Sequence, residues 1–439
     1  MTPRIRYGLR TLARAWQGGD RNTLIFITEA ALAAAAGVGS AYNGAYVLRL
    51  GASNTLIGLM SSLPSLATML LYIPIGLFLQ KRKIVPWIVG GQVTYRALYI
   101  LIALAPLFAG QAVPQVTAAL MMLAALPPII SSVSLNPLIS DVVPPEQRAS
   151  LITWRSTLRY GTAALLVYAA GRWLDLYGAF PANYQWLYLA SALVGILHAC
   201  LLSMIRVPAQ PTTQLTPATT SANPVPPARR PAVDLSIFRQ YPDFARFMIN
   251  KLIYDAGDTL AGPLSSIYLV RMLGASNTWL GASSTLTSIG AVAGLWAWRR
   301  AVRRLGENRI LWYSLPFASC CTLLIALVPN LSWILAFQVA TVLLGAGASL
   351  SLEVLYLDTL PAGHKSAATG LYNTVFGVAA VVLPMAGVAL ADGIGVIPAM
   401  LVGGSLRLAG AAIFYLRPVK PRVLPVPSPA PVDPTRGAS

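Results

Sequence analysis

The sequence predicts an all-α membrane protein, with twelve transmembrane helices arranged as two six-helix bundles that repeat in parallel. Three observations predict it. Of 439 residues, 56% are hydrophobic and only 10% are Asp, Glu, Lys or Arg, where soluble proteins carry about 25%. The apolar residues gather into twelve stretches, each near the roughly 20 residues that a bilayer-crossing helix requires. A six-residue run, Leu50-Gly-Ala-Ser-Asn-Thr55, returns as Leu273-Gly-Ala-Ser-Asn-Thr278 at the matching place in the second half.

The spans lie at about 23–48, 55–79, 84–108, 115–142, 150–174 and 184–205. In the second half they lie at about 247–271, 277–298, 309–328, 332–357, 366–390 and 394–416, by the length a bilayer requires. The first runs through Ala30–Gly39 with no alternation of polar and apolar residues, which excludes a barrel strand. A Gly-Ala-Ser-Asn run, suited to a tight turn and a helix N-cap, separates span 1 from span 2 and span 7 from span 8. Basic clusters, Lys81–Lys83 and Arg299–Arg309, follow spans 2 and 8. Span 4 carries Pro127, Pro128 and Pro137, and span 7 carries Pro263; each predicts a local break of its helix. Residues 207–235 are rich in Pro, Thr and Ala, too poor in apolar side chains to fold, and read as a disordered tether between the halves. The expected divisions are a basic N-terminus over 1–22, a first bundle over 23–206, a linker and basic lead-in over 207–246, a second bundle over 247–417 and a Pro-rich tail over 418–439.

Charge placement orients the spans. With the N-terminus cytoplasmic, 24 of the 32 Lys and Arg fall on the inside and three, Arg49, Arg172 and Arg271, on the outside. The net charge of +18 is then a topology signal and a contact with anionic lipid headgroups, not a nucleic-acid footprint. Both termini are expected in the cytoplasm of a multi-pass protein of the cell membrane. The first 22 residues are basic without an apolar core, so no cleavable leader is expected. They read as either a surface-lying amphipathic helix or a disordered basic tail. Three cysteines inside apolar stretches and two histidines predict neither a disulfide framework nor a metal site.

The repeat extends beyond the turn. Tyr46-Val-Leu-Arg49 matches Tyr268-Leu-Val-Arg271, and Asp141-Val-Val-Pro144-Pro-Glu-Gln-Arg148 is echoed by Asp358-Thr-Leu-Pro361-Ala-Gly-His-Lys365 at an offset of 217. The same offset pairs Asp175 with Asp392. At this point the sequence resembles the major facilitator superfamily over almost its whole length. The element Asp-x-x-Pro-x-x-x-Arg/Lys looks like that family's cytoplasmic motif, with Ala149 where glycine is usual and Lys365 in place of arginine. The loop after span 2, Gly76-Leu-Phe-Leu-Gln80-Lys-Arg-Lys83, keeps the family's first glycine and basic cluster and lacks its acid. The Gly-Pro motif of drug/proton antiporters is missing from span 5. The resemblance implies two halves rocking about a midplane site, lined by helices 1, 4, 7 and 10. Asp141, Arg148, Asp358 and Lys365 then belong to the conformational motif.

A charge at a helix centre costs roughly 2.5–3.5 kcal/mol on insertion scales, so buried charges face water, pair or are neutralised. Four acids stand inside spans: Glu29, Asp255, Asp258 and Glu353. Asp255 and Asp258 share a helical face and are read as proton carriers, as contacts for a cationic solute, or as structural partners of Lys251. Glu29 stands at the repeat position of Lys251, 222 residues apart, which allows a pair between the halves. Glu353 is expected at the depth of Arg155 and Arg159, where an ion pair would close the inner side, or in a local network with Asp358. Arg96 and Arg407 read as snorkelling or internally paired, or as partners for an anionic substrate. Tyr42, Asn43, Tyr46, Asn136, Tyr254, Tyr268 and Tyr356 are either substrate-lining or interfacial and helix-contact residues. His198 reads as a packed polar residue.

Together these predict a secondary active transporter of a small organic solute, proton-coupled and monomeric, with no cofactor and no enzymatic activity. The alternatives are a proton-independent facilitator and a transport-inactive membrane receptor or regulator of the same family.

Overall fold

The computed structural model describes residues 21–80, 82–143, 145–207, 236–361 and 365–419. The expectations for the basic N-terminal segment, most of the tether and the Pro-rich tail lie outside them. Among the described residues twelve helical rods run back and forth. In the first half these are α1, broken into Arg21–Ala36 and Asn43–Arg49; α2, Asn54–Leu79; α3, Ile84–Phe108; α4, broken into Val113–Ala124 and Pro127–Val142; α5, Pro145–Leu176; and α6, Ala182–Ser203. In the second half they are α7, Pro242–Ile267; α8, Asn277–Leu305; α9, Glu307–Leu327; α10, Leu331–Thr359; α11, Lys365–Ile394; and α12, Val396–Leu416. Nine rods among the described residues are long and apolar enough to cross a membrane. The other three are α5, α7 and α8, which carry Arg155 and Arg159, Lys251 with Asp255 and Asp258, and the basic run Arg299–Arg304.

The breaks follow only some of the residues expected to force them, since Pro137 and Pro263 lie inside unbroken helical segments. Pro127 and Pro128 supply no backbone N–H, so α4 restarts there as a fresh helix with proline in its first turn. In α1 the interruption falls at Gly37 and Gly39, where the chain passes through a 3-10 turn, Gly39–Tyr42. The Gly39 N–H donates to Ser191 Oγ of α6 at 3.1 Å, and a Cβ on Gly39 would lie 2.9 Å from that oxygen. After α7 the chain widens into a π-helical turn, Tyr268–Met272. At its other end α7 starts five residues before the expected span, at Pro242, with Asp243 in the first turn. Proline at the first position and an acid on the N-terminal dipole both favour that start. A short helix, Ser236–Gln240, precedes it, so the basic lead-in is helical there.

The packing is pseudo-two-fold. In the first half α1 packs on α5 and α6, α3 on α4 and α6, and α2 on α4; in the second half α7 packs on α11 and α12, α9 on α10 and α12, and α8 on α10. The halves meet where α5 packs on α8 and α2 on α11, two contacts that the same two-fold exchanges. Outward-facing side chains such as Ile73, Leu165, Leu193 and Trp296 are exposed, as a lipid-facing surface requires.

Small residues set the closest approaches. A Cβ on Gly257 of α7 would lie 2.3 Å from the Gly403 carbonyl and 2.5 Å from the Arg407 nitrogen, and one on Gly410 would lie 2.5 Å from the Tyr254 nitrogen. That contact brings α12, and Arg407 with it, against α7.

Candidate functional site

One face of α7 carries charges of both signs, Lys251, Asp255 and Asp258. Lys251 pairs with Asp255 one turn on, and Asp258 pairs with Arg407 of α12. Arg407 also donates to the Tyr254 hydroxyl at 3.1 Å and to Thr322 Oγ1 at 3.4 Å, with its guanidinium 4.9 Å from the Tyr254 ring centre. The Lys251 ammonium lies 4.8 Å from the Phe376 ring centre and near the Tyr372 hydroxyl, both on α11. A cavity of about 280 Å³ opens between α7 and α11, lined by Leu252, Asp255, Asp258, Thr259, Phe376 and Ala379 among others. In both pairs the acid is the more exposed partner: Asp258 is 63% exposed against 10% for Arg407, and Asp255 33% against 18% for Lys251. The cavity therefore meets carboxylates, with their cations recessed behind them.

The first half holds a buried counterpart. Glu29 on α1 accepts from Arg155 Nη2 on α5 at 2.8 Å, and its other oxygen lies 3.9 Å from His198 Nε2 on α6. Glu29 and Lys251 are 222 apart, and Arg155 and Tyr372 are 217 apart, so the Glu29–Arg155 contact and the Lys251–Tyr372 contact occupy equivalent places. Polarity is inverted between them: an acid on α1 stands where α7 carries an amine.

At the end that bears the repeated turns, the halves exchange matching contacts. Arg49 donates to the Ala275 carbonyl at 3.0 Å and Arg271 to the Ala52 carbonyl. Asp175 accepts from the Asn277 N–H at 3.0 Å, from its side-chain amide at 2.9 Å and from the Thr278 N–H at 2.6 Å. Its repeat mate Asp392 accepts from the Asn54 amide at 2.8 Å, and Arg271 donates to Asn54 Oδ1 at 2.7 Å. Ser53 and Ser276 cap α2 and α8, each accepting from the N–H three residues on. Gly51 and Gly274 hold φ of 90° and 62°, a region that strongly favours glycine. The repeated run is thus a turn, a cap and an acceptor for the opposite half.

Several expectations need correction. The Glu353–Arg155 pair is not formed: Glu29 occupies Arg155, and Glu353 is exposed on α10. The Glu29–Lys251 pair between the halves is not formed either, because Lys251 finds Asp255 on its own helix. Asp255 and Asp258 do not face each other as a bare acid pair, since each holds its own cation. Tyr42, Tyr46 and Tyr268 are sealed in packing rather than facing a cavity, because that end of the bundle is closed. Tyr42 donates to the Val167 carbonyl at 2.5 Å, and Tyr46 stacks on Tyr184 with ring centres 4.8 Å apart. Asn43 donates to the Tyr99 hydroxyl at 3.1 Å, and Asn136 is exposed on α4. Tyr254 stands behind Asp258, bound to Arg407. Tyr356 donates to Thr369 and packs on Tyr372.

Among the motif residues, Arg148 turns back to the Val143 and Ser140 carbonyls at 2.9 and 2.5 Å, closing the end of α4. Asp141 and Arg159 are exposed and Asp358 is half-buried near the end of α10; the Lys365 side chain lies outside the described residues. Arg96 is buried and donates to the Ala36 carbonyl at 2.8 Å. Sequence reasoning set Arg407 aside from the cavity and missed Tyr372, Phe376 and Thr259. For Tyr372 a signal existed, since it is the repeat mate of Arg155.

The family model described as Major Facilitator Superfamily matches residues 23–352 and 247–437. No curated protein matches the chain. Among solved structures, a bacterial metal transporter is 16% identical with a TM-score of 0.66, over 90% of this chain and 98% of its own. A D-xylose-proton symporter is 11% identical with a TM-score of 0.63, over 91% and 98%. A bacterial homologue of the iron transporter ferroportin, in an inward-facing state, is 16% identical with a TM-score of 0.64, over 89% and 99%. At these identities the likeness is one of fold.

Proposed function

This chain belongs to the Major Facilitator Superfamily, and from that premise we propose that it is a secondary active transporter, carrying a small organic solute by alternating access with a proton as coupling ion. The observation that carries the reading is the cavity between α7 and α11, where two intramembrane carboxylates meet an open volume. Charges at that depth persist only where they pair or meet water, and these do both. The latch of Arg49, Arg271, Asp175 and Asp392 supports alternation: contacts exchanged by a pseudo-two-fold hold one end shut, and they are weak enough singly to be broken in turn. Proton coupling is assigned to Asp255 and Asp258, with the Glu29–Arg155 pair as the counterpart in the first half. The coupled neighbour, a D-xylose-proton symporter, has the same fold.

We propose further that the chain works in the cell membrane as a monomer, termini cytoplasmic, its basic inside segments against anionic headgroups. The lysine and arginine distribution supports that orientation.

Lys251 and Arg407 already neutralise both acids, which favours a second reading, facilitation with no proton. Uptake into proteoliposomes under an imposed pH gradient, screened over solute classes, separates the two. The parent is expected to follow the gradient, and Asp255→Asn and Asp258→Asn to lose that response. If both variants follow it as well as the parent, the carrier assignment is wrong; if the parent ignores it, facilitation stands.

A further inference from the structure

Resting on the transporter reading, we propose that the cavity between α7 and α11 selects organic cations, and that the Lys251 ammonium is a tethered stand-in for the solute's own amine. The argument begins with what the ammonium touches. It is seated on the Asp255 carboxylate and over the Phe376 ring face at 4.8 Å, with the Tyr372 hydroxyl nearby. A carboxylate, an aromatic face and a hydroxyl acceptor are the three groups that recognise an ammonium ion. The site is therefore built, and its occupant arrives from one turn away on the same helix.

Three features make that occupant replaceable. The Lys251–Asp255 pair is partly exposed, at 18% and 33%, so neither ion is locked in the protein interior. Asp255 lines the cavity and Lys251 does not, so a solute reaches the carboxylate from the open side. Exchange of one ammonium for another keeps the Asp255 carboxylate paired throughout, and the displaced Lys251 ammonium, already partly exposed, turns to solvent. An anion would instead meet the exposed Asp258 carboxylate and the half-buried Asp255 carboxylate. Asp258 and Thr259 extend the polar side of the cavity, while Leu252, Phe376 and Ala379 make its apolar side. At about 280 Å³ the volume lies near the lower end of small-ligand pockets, about 300–1,000 Å³, which suits a compact amine with an apolar body.

Binding of 2-phenylethylammonium to the purified full-length protein in nanodiscs, followed by calorimetry, tests this. Its neutral and anionic analogues, 2-phenylethanol and phenylacetate, serve as comparisons. Lys251→Met removes the internal competitor, so the amine is expected to bind about tenfold more tightly than to the parent, as it does when a blocked site becomes competent. The alcohol and the carboxylate should not gain, and Asp255→Asn should lose the preference for the cation. A lysine that merely braces α7 predicts the reverse, weaker binding in Lys251→Met. If Lys251→Met does not fold, the parent decides: selectivity for the amine must be present and must fall in Phe376→Leu. Equal binding of the three probes, no binding of the amine, or no gain in a folded Lys251→Met overturns the proposal. Each result is independent of uptake: amine binding without gradient-driven transport would sink the coupling reading alone, and transport without amine selectivity would sink this one alone.

Discussion

Asp175 and Asn277 are joined twice across the two halves: one carboxylate oxygen accepts from the Asn277 backbone N–H at 3.0 Å and from its side-chain amide at 2.9 Å. The carboxylate sits on the first turn of α8, where unpaired N–H groups and the helix dipole favour an anion. Its repeat mate Asp392 reaches Asn54 at the start of α2. The repeated turn therefore does two tasks at once, ending one helix hairpin and receiving the opposite half.

Asp175→Asn removes the charge while keeping the shape. Charge-assisted hydrogen bonds contribute about 1.5–3 kcal/mol when sheltered, and exposure of Asp175 lowers that to about 1 kcal/mol. The expected outcome is a several-fold rise in the population open at that end, read by spin-label distances between the ends of α5 and α8. With Asn277→Ala the effects should fall short of additive, because the pair shares its bonds.

The same pair sets a pH response. Burial pushes the Asp175 carboxyl up, but the N–H and hydroxyl of Thr278 and the two donors of Asn277 outweigh burial and hold it below the usual carboxylate range. A group depressed by folding contributes fully above its unfolded value, about 3.9 for Asp, and loses the contribution as pH falls through its folded value. Closure of this end should then be flat above about pH 5 and weaken only in stronger acid. In Asp175→Asn that acid-induced opening should be reduced; an undiminished response would assign it elsewhere.

The reciprocal arginines give a second handle on closure. Arg49→Ala and Arg271→Ala each free one carbonyl of the opposite turn, Ala275 or Ala52. Each is expected to raise opening by a similar factor, the double variant more than either, in the same distance measurement. A response confined to one arginine would show that the two-fold is broken in energy though kept in geometry.

Breaking the buried pair in the first half should cost stability rather than closure. Removing one member of a buried ion pair costs about 3–5 kcal/mol, because the other is left uncompensated. Glu29→Ala should therefore lower the thermal midpoint in detergent sharply, and Glu29→Ala with Arg155→Ala should recover part of the loss. A double variant no better than the single would mean that Arg155 finds another partner.

Close helix contact sustains the second-half site. Gly257→Ala places a carbon against the Gly403 carbonyl and Arg407 nitrogen, and overpacking of this kind costs about 1–3 kcal/mol. The variant should melt earlier and loosen Arg407 from Asp258. Gly262→Ala, on the same helix with open space around it, should be neutral or slightly stabilising, as alanine favours a helix.

Much of the fold was legible because bilayer physics acts on composition: a span must be apolar over its length, and a proline pair must break it, wherever the helix packs. The repeat of Leu50–Thr55 at Leu273–Thr278 announced two related halves before any contact was known. The offset of 217 puts Tyr372 at the repeat position of Arg155, a relation that takes on meaning only once Glu29 is seen to pair with Arg155. Arg407 shows the limit. Its burial in a lipid-facing span looked costly, and nothing local indicates that Gly257 lets α12 close on α7 until the guanidinium meets Asp258.

By itself, then, the chain determined its helices, their order, their duplication and which charged residues needed partners, since each depends on properties that travel with local sequence. The tertiary structure decided the partners. Lys251 went to Asp255 and not to Glu29, Arg155 to Glu29 and not to Glu353, because an ion pair depends on distances of a few ångströms between helices far apart in sequence. Those distances come from packing, in which a missing Cβ on one glycine counts for as much as a charge.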